Sequence, residues 1–327
     1  KTIFVSGTGG FIGFHVAKHL LSLGHKVVGV DSFNSYYITS LKEARSAVLK
    51  SNPLFQERRC DIADASAFNK IFDEFNFDLV CHLAAQAGVR HSIEHPHDYT
   101  RFNVEAFLNV LEMVRRHKIK RVVYASSSSV YGGNKKVPFS ESDNVDLPLS
   151  LYAATKRANE LMARSYSHLY GMQTIGLRFF SVYGPWGRPD MAMWLFAESM
   201  IDGKPIKVFN NGHMRRDFTF VEDIAAGVVA SLFTEGLEQN ELFNLGNHRC
   251  EDLLKIIGII EEHLKVKAKM NFMPMQMGDV PESFADIEKA KAKLGFNPST
   301  PVEKGIPAFL DWYVANPEIA QAARAAR

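Results

Sequence analysis

Ile3-Phe-Val-Ser-Gly7-Thr-Gly-Gly10-Phe-Ile-Gly13 is the stretch that decides the fold. Ile3–Val5 reads as a short strand buried on both faces, and Ile12–Leu23 carries the apolar spacing of a helix. Between them, Gly7 and Gly10 have no side chain, so backbone can approach a pyrophosphate, and Gly13 lets the helix pack closely on the strand. The helix N-terminus adds free N–H groups and the positive end of its dipole. The spacing is G-x-x-G-x-x-G, which by itself marks only a tight turn. Asp31 supplies the second sign. It ends the next strand, 18 residues after Gly13, where an acid accepts hydrogen bonds from an adenosine ribose and repels a 2′-phosphate. The combination points to NAD rather than NADP.

The same rhythm continues outward. Val27–Val30, Leu79–Leu83, Val122–Ala125 and Thr174–Leu177 are short apolar runs, interleaved with helical patterns at Ala65–Phe75, Val104–His117 and Tyr152–Tyr170. Such alternation implies right-handed βαβ crossovers and a parallel, doubly wound α/β sheet. Near residue 180 the pattern changes. A loop, Tyr183-Gly-Pro-Trp-Gly-Arg-Pro189, precedes a helix at about Met193–Asp202, strands at Ile206–Phe209 and Asp217–Phe220, a helix at Val221–Thr234 and a strand at Leu242–Asn244. Helices at Asp252–Leu264 and Ile287–Leu294 follow, and the Ala/Arg-rich tail after Pro317 reads as a frayed terminal helix. The expected division is a dinucleotide domain of residues 1–180 plus about 221–247, and a smaller interleaved α/β substrate domain of about 181–220 plus 248–327.

Composition excludes broad classes. The 327 residues are 46% hydrophobic and 23% charged, ordinary for a globular chain, and long enough for a large core. With 38 basic and 36 acidic residues the net charge is +2, too near zero for a general nucleic-acid or anionic-membrane binder. Cys60, Cys81 and Cys250 form no C-x-x-C pair and read as reduced thiols. No apolar run is long enough to span a bilayer and no secretory pattern precedes the first strand, so the expected location is cytoplasmic.

Tyr152-Ala-Ala-Thr-Lys156 opens a helical pattern and places phenol and amine on one face, at i and i+4. Free tyrosine, with a pKa of about 10, is a poor base near neutrality. A nearby ammonium and an oxidised nicotinamide both favour the phenolate. Ser126-Ser-Ser-Ser129 follows a strand, where ligands bind at the carboxyl ends of a parallel sheet, and its hydroxyls can bond both the tyrosine and a substrate. Other clusters read as bland. His91, His95 and His97 have chelating spacings, but Pro96 interrupts the face and no carboxylate completes the set, so no metal is expected. Arg115-Arg-His-Lys118 sits where a helix ends and complements its dipole, with no nucleic acid implied. Phe179 and Phe180 are candidates to line the cofactor pocket.

These motifs, together with Asp61-Ile62, Leu83-Ala-Ala-Gln-Ala-Gly-Val-Arg90, Arg178-Phe-Phe-Ser-Val-Tyr-Gly-Pro-Trp-Gly-Arg-Pro-Asp-Met191, Arg216-Asp-Phe-Thr219 and Gly278-Asp-Val-Pro281, give the chain a family likeness over almost its whole length. It resembles the extended short-chain dehydrogenase/reductases that act on nucleotide sugars, and among them the UDP-glucuronate 4-epimerases. The resemblance implies a Rossmann-type fold and a tightly bound NAD that is reduced and reoxidised within one turnover, through a 4-keto sugar. It makes Tyr152 the base at the C4 hydroxyl and Lys156 the partner of the nicotinamide ribose. Ser127 would bond the C4 oxygen, with Ser129 beside it. It assigns Gly7, Gly10, Phe11, Ile12, Gly13, Asp31, Asn34, Lys42, Asp61, Ile62, Leu83, Ala84, Ala85, Gln86, Ser126, Tyr152 and Lys156 to the cofactor. Arg90, Ser127, Ser128, Ser129, Tyr152, Ser181, Arg188, Val208, Phe209, Arg216, Gln276 and Asp279 go to the UDP-sugar. Arg188 and Arg216 would serve the diphosphate, Asp279 and Gln276 the uridine ribose.

Ser129 stands where dehydratases and decarboxylases of this superfamily carry an acid before Val-Tyr-Gly, which favours simple epimerisation. Ser181 replaces a threonine usual in close relatives. A homodimer through the helices Val104–His117 and Tyr152–Tyr170 is implied as well. The alternatives are a 4-epimerase of another UDP-sugar, such as UDP-galactose or a UDP-N-acetylhexosamine, and a non-catalytic dinucleotide-binding regulator, against which the intact Ser127/Tyr152/Lys156 set argues.

Overall fold

Apolar strands that can be buried on both faces pair in parallel and are covered by the helices that connect them. The computed structural model describes residues 1–276 and 279–326; Gly278 of the motif above lies outside them. The first half runs β1 (Thr2–Ser6), α1 (Phe11–Ser22), β2 (Lys26–Asp31), α2 (Thr39–Lys50), β3 (Phe55–Arg59), α3 (Ala65–Glu74) and β4 (Leu79–His82). Two single turns follow, α4 (His91–Glu94) and α5 (Pro96–Tyr99), then a π-helical stretch Thr100–Glu105 that continues into α6 (Ala106–Arg116). β5 (Arg121–Ser127), α7 (Leu151–Tyr170) and β6 (Gln173–Phe179) complete it. Ser150 caps α7 by accepting the Ala153 N–H at 3.1 Å, and Gly171, at φ 70°, closes its C-terminus.

The second half holds β7 (Ser181–Tyr183), α8 (Ala192–Ile201), β8 (Ile206–Val208), β9 (Arg215–Arg216), β10 (Phe218–Phe220), α9 (Val221–Phe233) and β11 (Asn240–Leu245). β12 (Glu251–Asp252), α10 (Leu253–Leu264), β13 (Met270–Phe272), β14 (Glu282–Ser283), α11 (Glu288–Leu294), α12 (Val302–Ala315) and α13 (Pro317–Ala325) end it.

The main sheet has the order β3-β2-β1-β4-β5-β6-β11, with every pair parallel. The chain reverses its direction of travel between β1 and β4, which opens a crevice at the carboxyl ends of those strands. On one face, Phe14 and Leu20 of α1 pack with Val228 and Leu232 of α9. On the other, Phe68 and Phe72 of α3 meet Phe107 and Val110 of α6. A separate core joins Trp194 and Phe196 of α8, Ile256 and Ile260 of α10 and Phe309 of α12. Small strand pairs attach this part: β7 with β10, β8 with β13, and β9 between β12 and β14. Ile287, Leu294 and Phe296, by contrast, pack into the first core. The tail departs from the expected frayed end. Ala320 and Ala323 of α13 are buried in the second core, and Arg324 pairs with Asp202 at 3.0 Å.

Candidate active site

At the switch point lies a cavity of about 420 Å³, whose floor is the glycine turn and whose walls are the strand ends. Gly7 adopts φ 78° and its carbonyl accepts the Gly10 N–H at 2.9 Å. A Cβ on Gly13 would stand 2.0 Å from that carbonyl, so the turn closes only on glycine. Gly10 begins α1 with no side-chain cap, so the first N–H groups of the helix remain available to an anion. Asp31 accepts the Gly9 N–H at 3.0 Å and the Phe33 N–H at 2.8 Å, one on each oxygen. Each oxygen keeps a lone pair for ribose hydroxyls. A bare glycine turn, an uncapped helix start and an acid facing the same cavity fit a dinucleotide.

All seventeen positions expected at the cofactor line this cavity. Lys42 donates to the Asn34 main-chain and side-chain oxygens at 2.8 and 2.7 Å, and burial pulls its pKa down. Asp61 accepts the Ala63 N–H at 2.9 Å and pairs with Arg101 at 2.6 Å. Ser126 is committed elsewhere, since its hydroxyl donates to Glu160 at 2.7 Å.

Tyr152 and Lys156 stand in the first turns of α7, facing the carboxyl end of β5. The Lys156 ammonium donates to the Ala125 carbonyl at 2.9 Å, and burial pulls its pKa down to about 8. Burial pushes the Tyr152 phenol up, opposed by a hydrogen bond from Ser127 and by the Arg188 charge. Ser127 and Ser129 are linked hydroxyl to hydroxyl at 3.0 Å, and Ser127 also accepts the Ser129 N–H at 3.2 Å. Ser128 and Ser181 line the same cavity. A phenol, a lysine and a row of hydroxyls can move a proton at one sugar oxygen and bond a carboxylate beside it.

The positions expected at the UDP end divide. Arg188 lines the cavity, but Asp190 occupies its fork at 3.0 Å to both Nε and Nη2, and Tyr36 donates to the same carboxylate at 3.2 Å. Arg90, Val208, Phe209, Arg216, Gln276 and Asp279 stand outside the cavity wall. The Arg90 guanidinium lies over the Phe209 ring at 5.4 Å. Val208 is buried in β8, so only its main chain can reach a ligand. Arg216 donates to the Pro281 carbonyl at 3.2 Å, and burial pulls its pKa down against the attraction of Asp279. The Gln276 Oε1 is buried without a partner among the described residues.

Sequence reasoning missed several wall residues, among them Ser6's partner His82, Tyr36, Tyr37, Cys60 and Phe102. Ser6 accepts the Leu83 and Ala84 N–H groups at 3.0 Å each, so its own proton goes to His82 Nδ1 at 2.8 Å. Burial holds His82 neutral, near a pKa of 3, with its proton on Nε2. Both residues end parallel strands, and the strand-end rule could have found them. The histidine cluster also differs from expectation: a carboxylate does stand beside it. His91, His95 and Asp98, not His97, bring ligand atoms within 4.8 Å of one another.

Known proteins agree with this geometry. Residues 3–246 match the model of the NAD dependent epimerase/dehydratase family. UDP-glucuronate 4-epimerase 1 of Arabidopsis thaliana is 44% identical over 330 residues, covering 96% of this chain and 77% of the plant protein. The structure of UDP-glucuronic acid 4-epimerase from Bacillus cereus, in complex with UDP-glucuronic acid and NAD, superposes with a TM-score of 0.90 at 33% identity, covering 96% of this chain and 99% of that one. A UDP-glucose 4-epimerase of Thermotoga maritima, with UDP-glucose, gives 0.87 at 28% identity over 97% and 99%. With the glycine turn, Asp31 and the Tyr152/Lys156 pair in one cavity, these matches show that the chain belongs to the NAD dependent epimerase/dehydratase family.

Proposed function

We propose that the protein is an NAD-dependent UDP-glucuronate 4-epimerase, interconverting UDP-glucuronate and UDP-galacturonate. One observation carries the reading: the Ser127–Tyr152 pair and Lys156 share the cavity of the dinucleotide turn, facing a row of hydroxyls at Ser127, Ser128, Ser129 and Ser181. Bound NAD supplies a two-electron acceptor and donor for the hydrogen at sugar C4. Tyr152 Oη takes the C4 hydroxyl proton and later returns it, while Ser127 bonds the same oxygen and hands the phenol a neighbour that favours its ionised form. Lys156 bonds the nicotinamide ribose and keeps the helix start against β5. The sugar turns over inside the cavity between the two proton steps.

The 4-keto-uronate is a β-keto acid and loses CO2 when its carboxylate leaves the carbonyl plane. Ser127, Ser128, Ser129 and Ser181 clamp that carboxylate in an orientation that disfavours the loss. Arg188 meets the diphosphate, with Arg216, Asp279 and Gln276 beyond the cavity mouth completing the UDP site.

The chain divides into an NAD-binding part, residues 1–180 plus about 221–247, and a UDP-sugar part, about 181–220 plus 248–327. The seventh strand β11 and the separate core of α8, α10 and α12 support that division, while α11 and Phe296, which pack into the first core, depart from it. A homodimer through α6 and α7 is supported by leucines these helices leave exposed, Leu108, Leu161 and Leu169. Among the described residues no helix is long and apolar enough to cross a membrane; use of a nucleotide sugar with NAD supports a cytoplasmic site.

The test is a panel of UDP-sugars followed by NMR with no added NAD. UDP-glucuronate is expected to give UDP-galacturonate, Tyr152→Phe to lose at least ~100-fold in rate, and Ser181→Ala to release CO2 and a UDP-pentose. Native rate in Tyr152→Phe removes the mechanism, and Ser181→Ala without by-product removes the clamp.

A further inference from the structure

Arg45, on α2, is fully buried, yet its partners are carbonyls and a phenol rather than a carboxylate. One amino group of its fork, Nη1, donates to the Gly9 carbonyl at 2.7 Å, inside the glycine turn, and to the Tyr37 hydroxyl at 2.7 Å. The other, Nη2, donates to the Trp186 carbonyl and to the Gly187 carbonyl at 3.3 Å. The Nε has no partner among the described residues. A buried guanidinium without a counter-ion is costly unless it holds something in place.

What it holds is the connection between two sites. Gly9 is fixed on both sides of its Cα, its N–H by Asp31 and its carbonyl by Arg45. Trp186 takes φ 63°, a left-handed conformation that a bulky residue adopts only under constraint. The preceding carbonyl, of Pro185, accepts from His15 Nε2 at 3.0 Å. Burial holds His15 neutral, with a pKa of about 4, so a single Nε2–H makes that bond. Three consecutive carbonyls, of Pro185, Trp186 and Gly187, are thus bound by side chains of α1, which starts at the cofactor turn, and of α2, whose Arg45 also holds Gly9 of that turn. The next residue is Arg188.

We propose that Arg45, assisted by His15, is a positioning residue that ties the cofactor turn to the Pro185–Gly187 loop and so sets Arg188 for the substrate diphosphate. This rests on the reading that Arg188 serves that diphosphate. Lysine cannot replace Arg45, because a single ammonium cannot reach both sides as the planar fork does.

A double-mutant cycle tests the proposal on the intact, NAD-containing protein, with UDP binding by calorimetry, NAD content and thermal unfolding as readouts. R45K is expected to weaken UDP binding about 10-fold and H15F, which keeps the ring packing but not the donor, about 3-fold. R188A weakens UDP by itself, and in that background R45K and H15F are each expected to change binding less than about twofold. A merely structural role would lower the unfolding temperature and weaken UDP equally in both backgrounds; that result, or UDP binding of R45K and H15F near the parent's, overturns the proposal. If R45K does not fold, H15F and its cycle decide the coupling by the same two outcomes. A parent that binds UDP but leaves UDP-glucuronate unchanged refutes the functional reading, while the cycle still decides the coupling.

Discussion

At the residue scale, Lys156 is the most exposed to a thermodynamic test because its burial has a pH signature. Its pKa is about 8 in the folded chain, against an ordinary value of 10.5. Between those values the unfolded chain holds a proton that the folded one has released, so raising the pH favours folding across that window. Lys156→Met removes the effect. The stability difference, parent minus Lys156→Met, is expected to rise from pH 8 to pH 10 at up to about 1.4 kcal/mol per pH unit, read by urea unfolding. A flat difference would show that Lys156 titrates where a solvated lysine does. Tyr152, Lys156, Asp31 and the glycines were legible in sequence because each is a residue type its chemistry demands at a fixed place on a strand–turn–helix. Arg45 and His82 were not, since Gly187 and Ser6, which they meet, lie far along the chain and reach them only after folding.

At the element scale, α7, which carries Tyr152 and Lys156, is also a structural strut. Glu160, one turn beyond Lys156, forms a two-pronged pair with Arg178 of β6 at 2.8 and 2.9 Å and accepts the Ser126 hydroxyl of β5. Both charged side chains are 1% exposed. Such a pair is worth little against an apolar replacement, but breaking it strands a buried charge. Glu160→Gln is expected to cost about 3 kcal/mol or more in urea unfolding, and the double change Glu160→Leu with Arg178→Met to cost less than Glu160→Gln alone. A loss below about 1 kcal/mol for Glu160→Gln would mean that Arg178 finds other partners.

The alternation of apolar strand and amphipathic helix made most of the sheet readable. β3 escaped because Phe55-Gln-Glu-Arg-Arg59 lies at the sheet edge, where polar side chains replace an apolar run. The start of α6 was read as regular helix, and the π-helical Thr100–Glu105 carries no sequence sign of its own.

At the scale of the whole molecule, the near-neutral charge excluded broad polyanion binders. On the reading proposed above, the pyrophosphates of cofactor and substrate are held locally, by a helix start, Arg188 and Arg216, and the sugar carboxylate by serine hydroxyls. The interleaved path was legible only in part. Leu242–Asn244 read as a strand, but its place beside β6 depends on pairing across the sheet, and the packing of Phe296 into the first core depends on the last crossing of the chain. The exposed leucines of α6 and α7 make the proposed homodimer testable: in sedimentation velocity the parent is expected to sediment as a dimer and Leu161→Glu as a monomer, and a monomeric parent or unchanged sedimentation would contradict that interface.

The most direct test of the central claim follows the hydrogen at C4. UDP-glucuronate carrying deuterium at C4 is incubated with the purified protein in ordinary water, and the product is examined by NMR. Full retention of the label at C4 of UDP-galacturonate is expected, because that hydrogen passes to the bound cofactor and back without exchanging with water. Loss of label to solvent, or an unaltered substrate, would contradict the account.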